Sequence, residues 1–246
     1  MSAVEFAAVD FRIGDRNILT GLNLTIEPGE TLVLLGRSGS GKTTALRLIN
    51  GMIMPSSGEV RVDGKSTAQW DLVRLRRGIG YVIQEGGLFP HFTIERNIGL
   101  VPELEGWPEE RISRRVTELL ESVRLPPDDF RRRLPRELSG GQRQRAGVAR
   151  ALAADPKILL LDEPFGALDP VTRFDLQREF LRLRAELGKT SVFVTHDVRE
   201  AMKLATRIAL LHEGTLAFIG TTGEFRGSLH PEARAFLEIL EGEAQC

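Results

Sequence analysis

The sequence has almost no cysteine and no long apolar run, and both absences narrow the class of protein. Cys246 is the only cysteine among 246 residues, so a disulfide framework within the chain is excluded and a reducing cytoplasm is expected. No apolar run approaches the roughly 20 residues that a spanning helix needs, and residues 1–11 lack the basic and apolar regions of a signal peptide. We therefore expect a chain that does not cross a membrane by itself.

The sequence also lacks an excess of charge of either sign. It carries 33 Lys and Arg against 34 Asp and Glu, which gives a net charge of −1. Such a balance gives no indication of a nucleic-acid partner, and none is expected. No internal repeat or low-complexity segment is present, and a hydrophobic content of 41% suits one or two compact domains with a substantial core.

A glycine-rich segment is the strongest local signal, and it fits the pattern G-x-x-x-x-G-K-[ST]. It lies between a predicted strand at 31–35 and a predicted helix that ends at Gly51. The glycines let the backbone curl with its N–H groups inward, and the helix adds its positive end. Lys42 can reach the β- and γ-phosphates of a nucleotide, and the Thr43 hydroxyl can ligate Mg²⁺. The alternative is a plain Gly/Ser-rich turn. The predicted ATP-binding residues are Gly36, Arg37, Ser38, Gly39, Ser40, Gly41, Lys42, Thr43 and Thr44.

Two carboxylates follow a continuous apolar run at 157–161, which is typical of a buried parallel strand. Asp162, at the end of that strand, is predicted to hold Mg²⁺. Glu163, one residue later, is predicted to orient or deprotonate the attacking water. The alternative is a strand-to-loop turn with two solvated acids.

Small residues open another predicted helix upstream of Asp162, and they offer a second anion-binding helix end. One phosphate needs only one such cradle. Two cradles on one chain therefore suggest two chains that face each other, each lending its second cradle to the nucleotide of the other. The residues of this second cradle are Leu138, Ser139, Gly140, Gly141 and Gln142.

The order of predicted elements places the helices between two groups of strands. Strand patterns occupy 1–35, 58–64 and 79–83, where 58–64 is predicted to be an edge strand. They vanish between about 88 and 150 and return at 157–161, 190–195, 207–211 and 215–219. Further helices are predicted at 171–187 and 231–240. We predict one domain over 1–228, with an inserted helical subdomain at about 88–150, and a short C-terminal helix over 229–246.

These motifs together resemble a known family. The segment Leu138–Gln142 matches the signature sequence of ATP-binding cassette (ABC) ATPases without a mismatch, and the chain looks like the nucleotide-binding subunit of an ABC transporter over roughly 4–225. The resemblance implies an α/β fold with a phosphate-loop NTPase core and a mixed sheet. It also implies an N-terminal antiparallel β subdomain, an inserted α-helical subdomain, and hydrolysis of ATP with Mg²⁺.

The resemblance also assigns roles to residues outside the phosphate loop. Gln84 occupies the place of the Q-loop glutamine, which contacts Mg²⁺ and the attacking water. His196 resembles the switch histidine that contacts the γ-phosphate, although a histidine of no special role at a strand end is the alternative. Asp169, in the segment 167–169, resembles the D-loop aspartate that links the two sites of a dimer. The implied catalytic residues are Glu163, His196 and Gln84, and the implied Mg²⁺ ligands are Thr43, Gln84 and Asp162.

The sequence departs from the family at the adenine-binding position. The family usually stacks adenine on an aromatic residue just before the glycine of the first hairpin, and alignment on Gly14 puts Ile13 there. Phe11 is two residues earlier, on the same face if the strand persists, and Phe6 is a more distant candidate. Ile13 offers apolar contact only, which would weaken affinity and discrimination among bases.

The segment Gln84–Ile98 is expected to contact the membrane partner. Residues 88–98 and 101–107 are similar to subunits of importers for osmoprotectants such as glycine betaine, choline and carnitine. The resemblance implies a head-to-tail dimer with a second copy, permease subunits, and indirectly a solute-binding protein. It places the chain peripherally on the cytoplasmic face of the inner or plasma membrane. Only a short helix follows Thr221, so regulation by the paired CBS domains of many such subunits is not expected.

Four alternative functions stay open at this point. The chain could serve an ABC transporter for another solute, such as an amino acid, or an exporter. It could be a soluble ABC ATPase that acts on ribosomes or DNA, although it has neither a second cassette nor a long coiled-coil insertion. It could also hold ATP without turnover, which the presence of Lys42, Glu163 and His196 argues against.

Overall fold

The computed structural model describes residues 2–83, 87–166 and 168–242, and it divides the chain into two compact units. The first unit comprises the chain up to residue 76 and from residue 190 onward, and the second comprises 77–189. None of the helices within the described ranges combines the length and the apolarity that a bilayer-spanning segment requires. The domain boundaries predicted from the sequence stay a prediction.

The first unit contains eight of the described strands. They are β1 (Val4–Ile13), β2 (Arg16–Ile26), β3 (Thr31–Leu35), β4 (Ser57–Val62), β5 (Lys65–Ser66), β8 (Thr190–Thr195), β9 (Arg207–His212) and β10 (Thr215–Thr221). Its helices are α1 (Lys42–Ile49), α8 (Val198–Leu204), α9 (Thr222–Arg226) and α10 (Pro231–Gly242), with a 3-10 turn at Thr67–Gln69. Helix α2 (Leu72–Arg77) ends at the boundary of the units in the chain.

An antiparallel sheet with the order β2-β1-β4-β5 forms the N-terminal part of the first unit. Its alternating strand β2 buries Leu22, Leu24 and Ile26, as the sequence predicts. The prediction that 58–64 is an edge strand is wrong, because β4 pairs with β1 on one side and with β5 on the other. The left-handed turn at Asp63 and Gly64, with φ of 49° and 74°, folds the chain back into the short β5.

A second, mixed set of strands in the first unit has β3 at its centre. Strand β3 runs parallel to both β8 and β9, and β10 pairs antiparallel with β9. Every residue of β3 and of β8 is buried, which is expected for parallel strands covered on both faces. Leu35 lies opposite Thr195 of β8 and Leu210 of β9, so β3 and β8 end at one level and β9 continues to His212.

The second unit combines one parallel strand pair with helices. Strands β6 (Ile79–Val82) and β7 (Ile158–Asp162) are parallel. The helices are α3 (Ile94–Leu104), α4 (Glu109–Ser122), α5 (Pro127–Phe130), α6 (Gly140–Leu152) and α7 (Pro170–Leu187), with a 3-10 turn at Pro135–Glu137. The described residues between 88 and 150 contain no strand, and α4 buries the apolar residues that the sequence spaces helically, Val116, Leu119 and Leu120.

Candidate nucleotide-binding site

The phosphate loop, residues 36–44, connects β3 to the start of α1, as predicted. A Cβ atom on Gly36 would lie 2.4 Å from the carbonyl oxygen of Leu211 and 2.6 Å from Ser40 Oγ. A Cβ atom on Gly41 would lie 2.6 Å from Leu19 Cδ2, and Gly41 has a left-handed φ of 100°. Both glycines are therefore required sterically, because the loop curls tightly against its neighbours.

The interior of this loop offers donors that suit an anion. Lys42 is only 5% exposed, and its Nζ donates to the carbonyl oxygens of Gly36 and Arg37 at 2.8 Å each. Gly41 gives α1 no side-chain cap, so the first N–H groups of α1 receive no cap from that residue. The buried Ser40 Oγ has no hydrogen-bond partner within the described part of the chain. A buried unpaired hydroxyl at a helix N-terminus fits a bound phosphate.

Leu35 and Thr195, the last residues of β3 and β8, are paired in register. Gly36 and His196, which come next in the chain, therefore leave the two parallel strands at the same end. The turn that carries His196 is fixed by Thr195. Its Oγ1 donates to Glu200 Oε2 at 2.7 Å and accepts from the Asp197 N–H at 3.0 Å. His196 is exposed, so its ring can reach a ligand. The structure thus brings the predicted switch histidine next to the phosphate loop within the first unit.

Two supporting residues near these sites escaped the sequence analysis. Glu200 is buried in the first turn of α8. The signal in the sequence that could have found it is an acidic residue shortly after Asp197, the residue that caps this helix. Tyr81, the only tyrosine of the chain, donates from Oη to Asp162 Oδ2 at 3.4 Å in the second unit. The sequence signal for Tyr81 was weak, because an apolar strand pattern does not indicate which residue the tyrosine hydroxyl will contact.

The two predicted acids stand where β7 ends. Asp162 is the last residue of β7 and is 8% exposed. Glu163 is partly exposed and has a left-handed φ of 44°, which costs a non-glycine residue about 1 kcal/mol or more. The chain therefore turns sharply after the strand, and the two carboxylates differ in exposure, while their roles stay a prediction.

The predicted second cradle forms the N-terminus of α6. The Gln142 N–H donates to Ser139 Oγ at 3.3 Å, and the Ser139 N–H donates to Gln142 Oε1 at 2.9 Å, which is a capping box. Ser139 and Gly140 are exposed, whereas Gly141 is buried against α7. A Cβ atom on Gly141 would lie 2.4 Å from Thr172 Cγ2. Leu138, before the cap, is buried.

Asp169 caps helix α7 with its side chain. Asp169 Oδ1 accepts from the Thr172 N–H at 3.0 Å. Hydrogen bonds from the side chain and then the backbone of Thr172 lower the pKa of the Asp169 carboxyl. This local role holds the start of α7. The role of Asp169 across a dimer stays a prediction.

The predicted adenine contacts lie on the first hairpin. Ile13, at the end of β1, is 64% exposed, and Phe11 is partly exposed and pairs with Leu19 of β2. Leu19 is also the residue that packs against Gly41, so the hairpin lies beside the phosphate loop. Phe6 is buried, and it is therefore not available to stack on a base. Ile13 and Phe11 remain the candidates.

Several predicted residues lie outside the described ranges. They are Gln84, with its neighbours 85 and 86, and residue 167 of the D-loop segment. Within the described parts of the chain, no group of three or more His, Cys, Asp and Glu side chains could hold a metal ion. The predicted ligands Thr43 and Asp162 are oxygen donors, which Mg²⁺ prefers. Each residue by itself suits a magnesium ion, and their joint role as its ligands stays a prediction.

A glycine-lined loop with a buried lysine, between a parallel strand and a helix, defines a phosphate-loop nucleotide-binding protein. The family model described as ABC transporter matches residues 19–166. The chain therefore belongs to the ABC transporter family, as the signature sequence predicted. The mixed α/β fold predicted from the sequence is confirmed as well.

Curated relatives support a finer likeness. The chain is 50% identical over 230 residues to a glycine betaine/carnitine/choline transport ATP-binding protein, OpuCA, of Bacillus subtilis, covering 94% of this chain and 60% of that protein. It is 52% identical over 227 residues to an osmoprotectant import ATP-binding protein, OsmV, of Salmonella typhimurium, covering 89% of this chain and 59% of that protein. The predicted resemblance to osmoprotectant importer subunits is confirmed. The chain spans about 60% of the length of these relatives.

Solved structures confirm the fold. The ATP-binding cassette MJ0796, in a dimeric post-hydrolysis state bound to ADP and Pi, matches with a TM-score of 0.80 and 35% identity. The match covers 89% of this chain and 98% of that chain.

Proposed function

We propose that this chain is the ATP-hydrolysing subunit of an ABC importer that takes up osmoprotectants of the quaternary amine class, such as glycine betaine, choline and carnitine. The observation that carries ATP binding is the phosphate loop, where buried Lys42 and the unpaired Ser40 hydroxyl lie at the start of α1. The solute class is supported by the identity of about half the residues to named osmoprotectant subunits.

The roles assigned from the sequence give the proposed course of hydrolysis. Lys42 and the first N–H groups of α1 hold the β- and γ-phosphates of the substrate ATP. Glu163 accepts a proton from the attacking water as its oxygen bonds to the γ-phosphorus, and the bond to the ADP oxygen breaks. His196 donates a hydrogen bond to the γ-phosphate. Thr43, Asp162 and Gln84, the last of which lies outside the described residues, would hold Mg²⁺, which would supply positive charge to stabilise the phosphate groups.

A second copy of the chain completes the site in this proposal. Ser139, Gly140 and Gly141 of one copy close on the γ-phosphate held by Lys42 of the other, and Asp169 links the two sites. The exposed N-terminus of α6 supports this arrangement, because a helix end attracts an anion. The dimeric state of the similar cassette MJ0796 supports it too.

The segment Gln84–Ile98 is proposed to meet the permease, which would hold the chain at the cytoplasmic face of the membrane. Buried Asn97 organises the described part of this segment. Its Oδ1 accepts from the Phe89 N–H at 2.7 Å, and its Nδ2 donates to the carbonyl oxygens of Phe89 and Phe92 at 3.1 Å each. Phe89 is nevertheless 41% exposed. A tethered loop with an exposed aromatic side chain suits docking of a protein partner.

The first test compares ATP hydrolysis by the purified chain with that of Glu163→Gln. Loss of a general base costs about 10²- to 10⁴-fold in rate, and the variant should accumulate as a dimer on a sizing column in ATP and Mg²⁺. Glu121→Gln, an exposed change on α4, is the matched control and should behave as the parent. If Glu163→Gln hydrolyses ATP like the parent and stays monomeric, the assignment of the base fails.

A second test addresses the solute. Cells that lack other osmoprotectant uptake would express this chain with a permease and a binding protein from the same locus. Uptake of labelled glycine betaine, choline or carnitine should require the chain and should be lost with Glu163→Gln. If none of the three solutes accumulates while another solute does, the alternative of a different transport substrate replaces this one. Outward movement of solute would favour an exporter.

A further inference from the structure

The C-terminal helix α10 contacts the phosphate loop through an ion pair. Arg37, the second residue of the loop, donates from Nε to Glu232 Oε1 at 2.7 Å, and its Nη2 lies 3.5 Å from Oε2. The Glu232 side chain is 10% exposed, whereas that of Arg37 is 68% exposed. His212 Nδ1, at the end of β9, lies 3.5 Å from Glu232 Oε2. All three residues belong to the first unit.

Packing of α10 holds Glu232 in this place. Ala233, Phe236 and Leu237 on the same helix are buried, and α10 packs on α8, the helix that follows His196. The Glu232 N–H also donates to His230 Nδ1 at 3.2 Å, just before the helix begins. A carboxylate on a helix anchored by three apolar residues is a fixed acceptor, so the position of Arg37 is set by the fold rather than by solvent.

Arg37 in turn positions Lys42. The carbonyl oxygen of Arg37 accepts from Lys42 Nζ at 2.8 Å and from the Ser40 N–H at 3.2 Å. A displacement of Arg37 would therefore move one of the acceptors that orient the ammonium group of Lys42. The chain of contacts runs from Glu232 through the Arg37 side chain to the Arg37 carbonyl and on to Lys42.

We propose that Glu232 is a positioning residue for nucleotide binding, which acts through Arg37 to hold the phosphate loop in its binding conformation. The proposal rests on the proposed function, since it needs ATP as the ligand of this loop. A purely electrostatic argument predicts the opposite effect on binding. Removal of a carboxylate near a binding site for triphosphate lowers repulsion and should by itself tighten binding. The sign of the effect therefore distinguishes positioning from bulk charge.

The test measures the dissociation constant of the fluorescent analogue mant-ATP for the intact chain. Glu232→Gln should bind three- to ten-fold more weakly, which corresponds to about 0.7–1.4 kcal/mol. Glu232→Asp keeps the carboxylate and should recover part of the affinity. Glu238→Gln, an exposed change on the same helix, removes the same charge without the loop contact and should bind as the parent or slightly more tightly.

A double-mutant cycle tests whether Glu232 acts through Arg37. Arg37→Met should weaken binding to a similar extent, and the double variant with Glu232→Gln should bind no more weakly than either single variant. Additive losses, or tighter binding by Glu232→Gln, would overturn the proposal. Thermal unfolding of each variant shows whether it is folded, and the largely exposed Arg37 gives a variant that should fold even if Glu232→Gln does not. Absence of mant-ATP binding by the parent would instead overturn the proposed function, and this inference with it.

Discussion

The contact between Gly141 and helix α7 leads to a prediction whose magnitude follows from the structure. Gly141 lies in the first turn of α6, so a change to alanine should stabilise the helix by about 1 kcal/mol. The new Cβ atom would, however, lie 2.4 Å from Thr172 Cγ2. Overpacking of this kind costs about 1–3 kcal/mol. We therefore expect Gly141→Ala to lower the free energy of unfolding by about 1 kcal/mol.

The clash cannot be relieved by a simple rotation of Thr172. Its side chain is hydrogen-bonded to the carboxylate of Asp169, which caps α7, and its backbone N–H donates to the same carboxylate. Rotation about χ1 would break the hydroxyl bond. Thr172→Ser keeps that hydroxyl and removes the methyl group, so it should make room for the alanine. The double variant should be at least about 1 kcal/mol more stable than Gly141→Ala alone.

Urea unfolding of the four proteins of this cycle measures the coupling. Gly140→Ala is the matched control, because it changes the neighbouring helical glycine and its Cβ would have no neighbour nearer than 3.9 Å. That variant should gain up to about 1 kcal/mol. If Gly141→Ala is as stable as Gly140→Ala, or if Thr172→Ser gives no recovery, the contact between α6 and α7 is not as tight as argued.

Three further predictions concern single positions. Ile13→Tyr should tighten ATP binding by about 1 kcal/mol or more, because base stacking on an aromatic ring is worth about 1–3 kcal/mol, and an unchanged dissociation constant would mean that the base does not reach Ile13. Gly36→Ala should abolish mant-ATP binding, because its Cβ would meet a backbone oxygen at 2.4 Å, and retained binding would refute this account of the loop. Lys189 donates to Asp155 and lowers its carboxyl pKa. Asp155→Asn should therefore cost less than about 1 kcal/mol at neutral pH, and this difference should vanish as pH falls through the folded-state pKa.

Most elements could be predicted because their signals are local. The runs at 31–35 and 190–195 form strands, as predicted, and the run at 157–161 forms a buried parallel strand, as its continuous apolar composition indicated. The helix predicted at 171–187 is α7, which Asp169 caps and Gly188 ends in the left-handed conformation, so local residues define both of its ends. Strand β5 was not predicted, because two residues are too few to show a periodic pattern. Without β5 in the prediction, β4 had a partner on one side only and was predicted to be an edge strand.

The predicted site residues were found from motifs, but their partners were not. The phosphate loop is recognisable because only glycine fits at Gly36 and Gly41, whatever the rest of the chain does. The Arg37–Glu232 pair joins residues 195 positions apart, and Tyr81 meets Asp162 across 81 positions. Such pairs depend on which elements become neighbours in the fold, which no local pattern encodes.

The two helix ends that are proposed to bind anions differ in their capping, and this difference bears on the proposal that two copies share one nucleotide. Helix α1 follows Gly41, which has no side chain to cap the helix. Helix α6 has its own cap, because Ser139 Oγ accepts from the Gln142 N–H, but that bond is long at 3.3 Å. A phosphate at α6 must compete with this bond, which is weak enough to be exchanged. We therefore expect α1 to bind nucleotide in a single chain, and α6 to engage it only when a second copy brings the helix end to the phosphate.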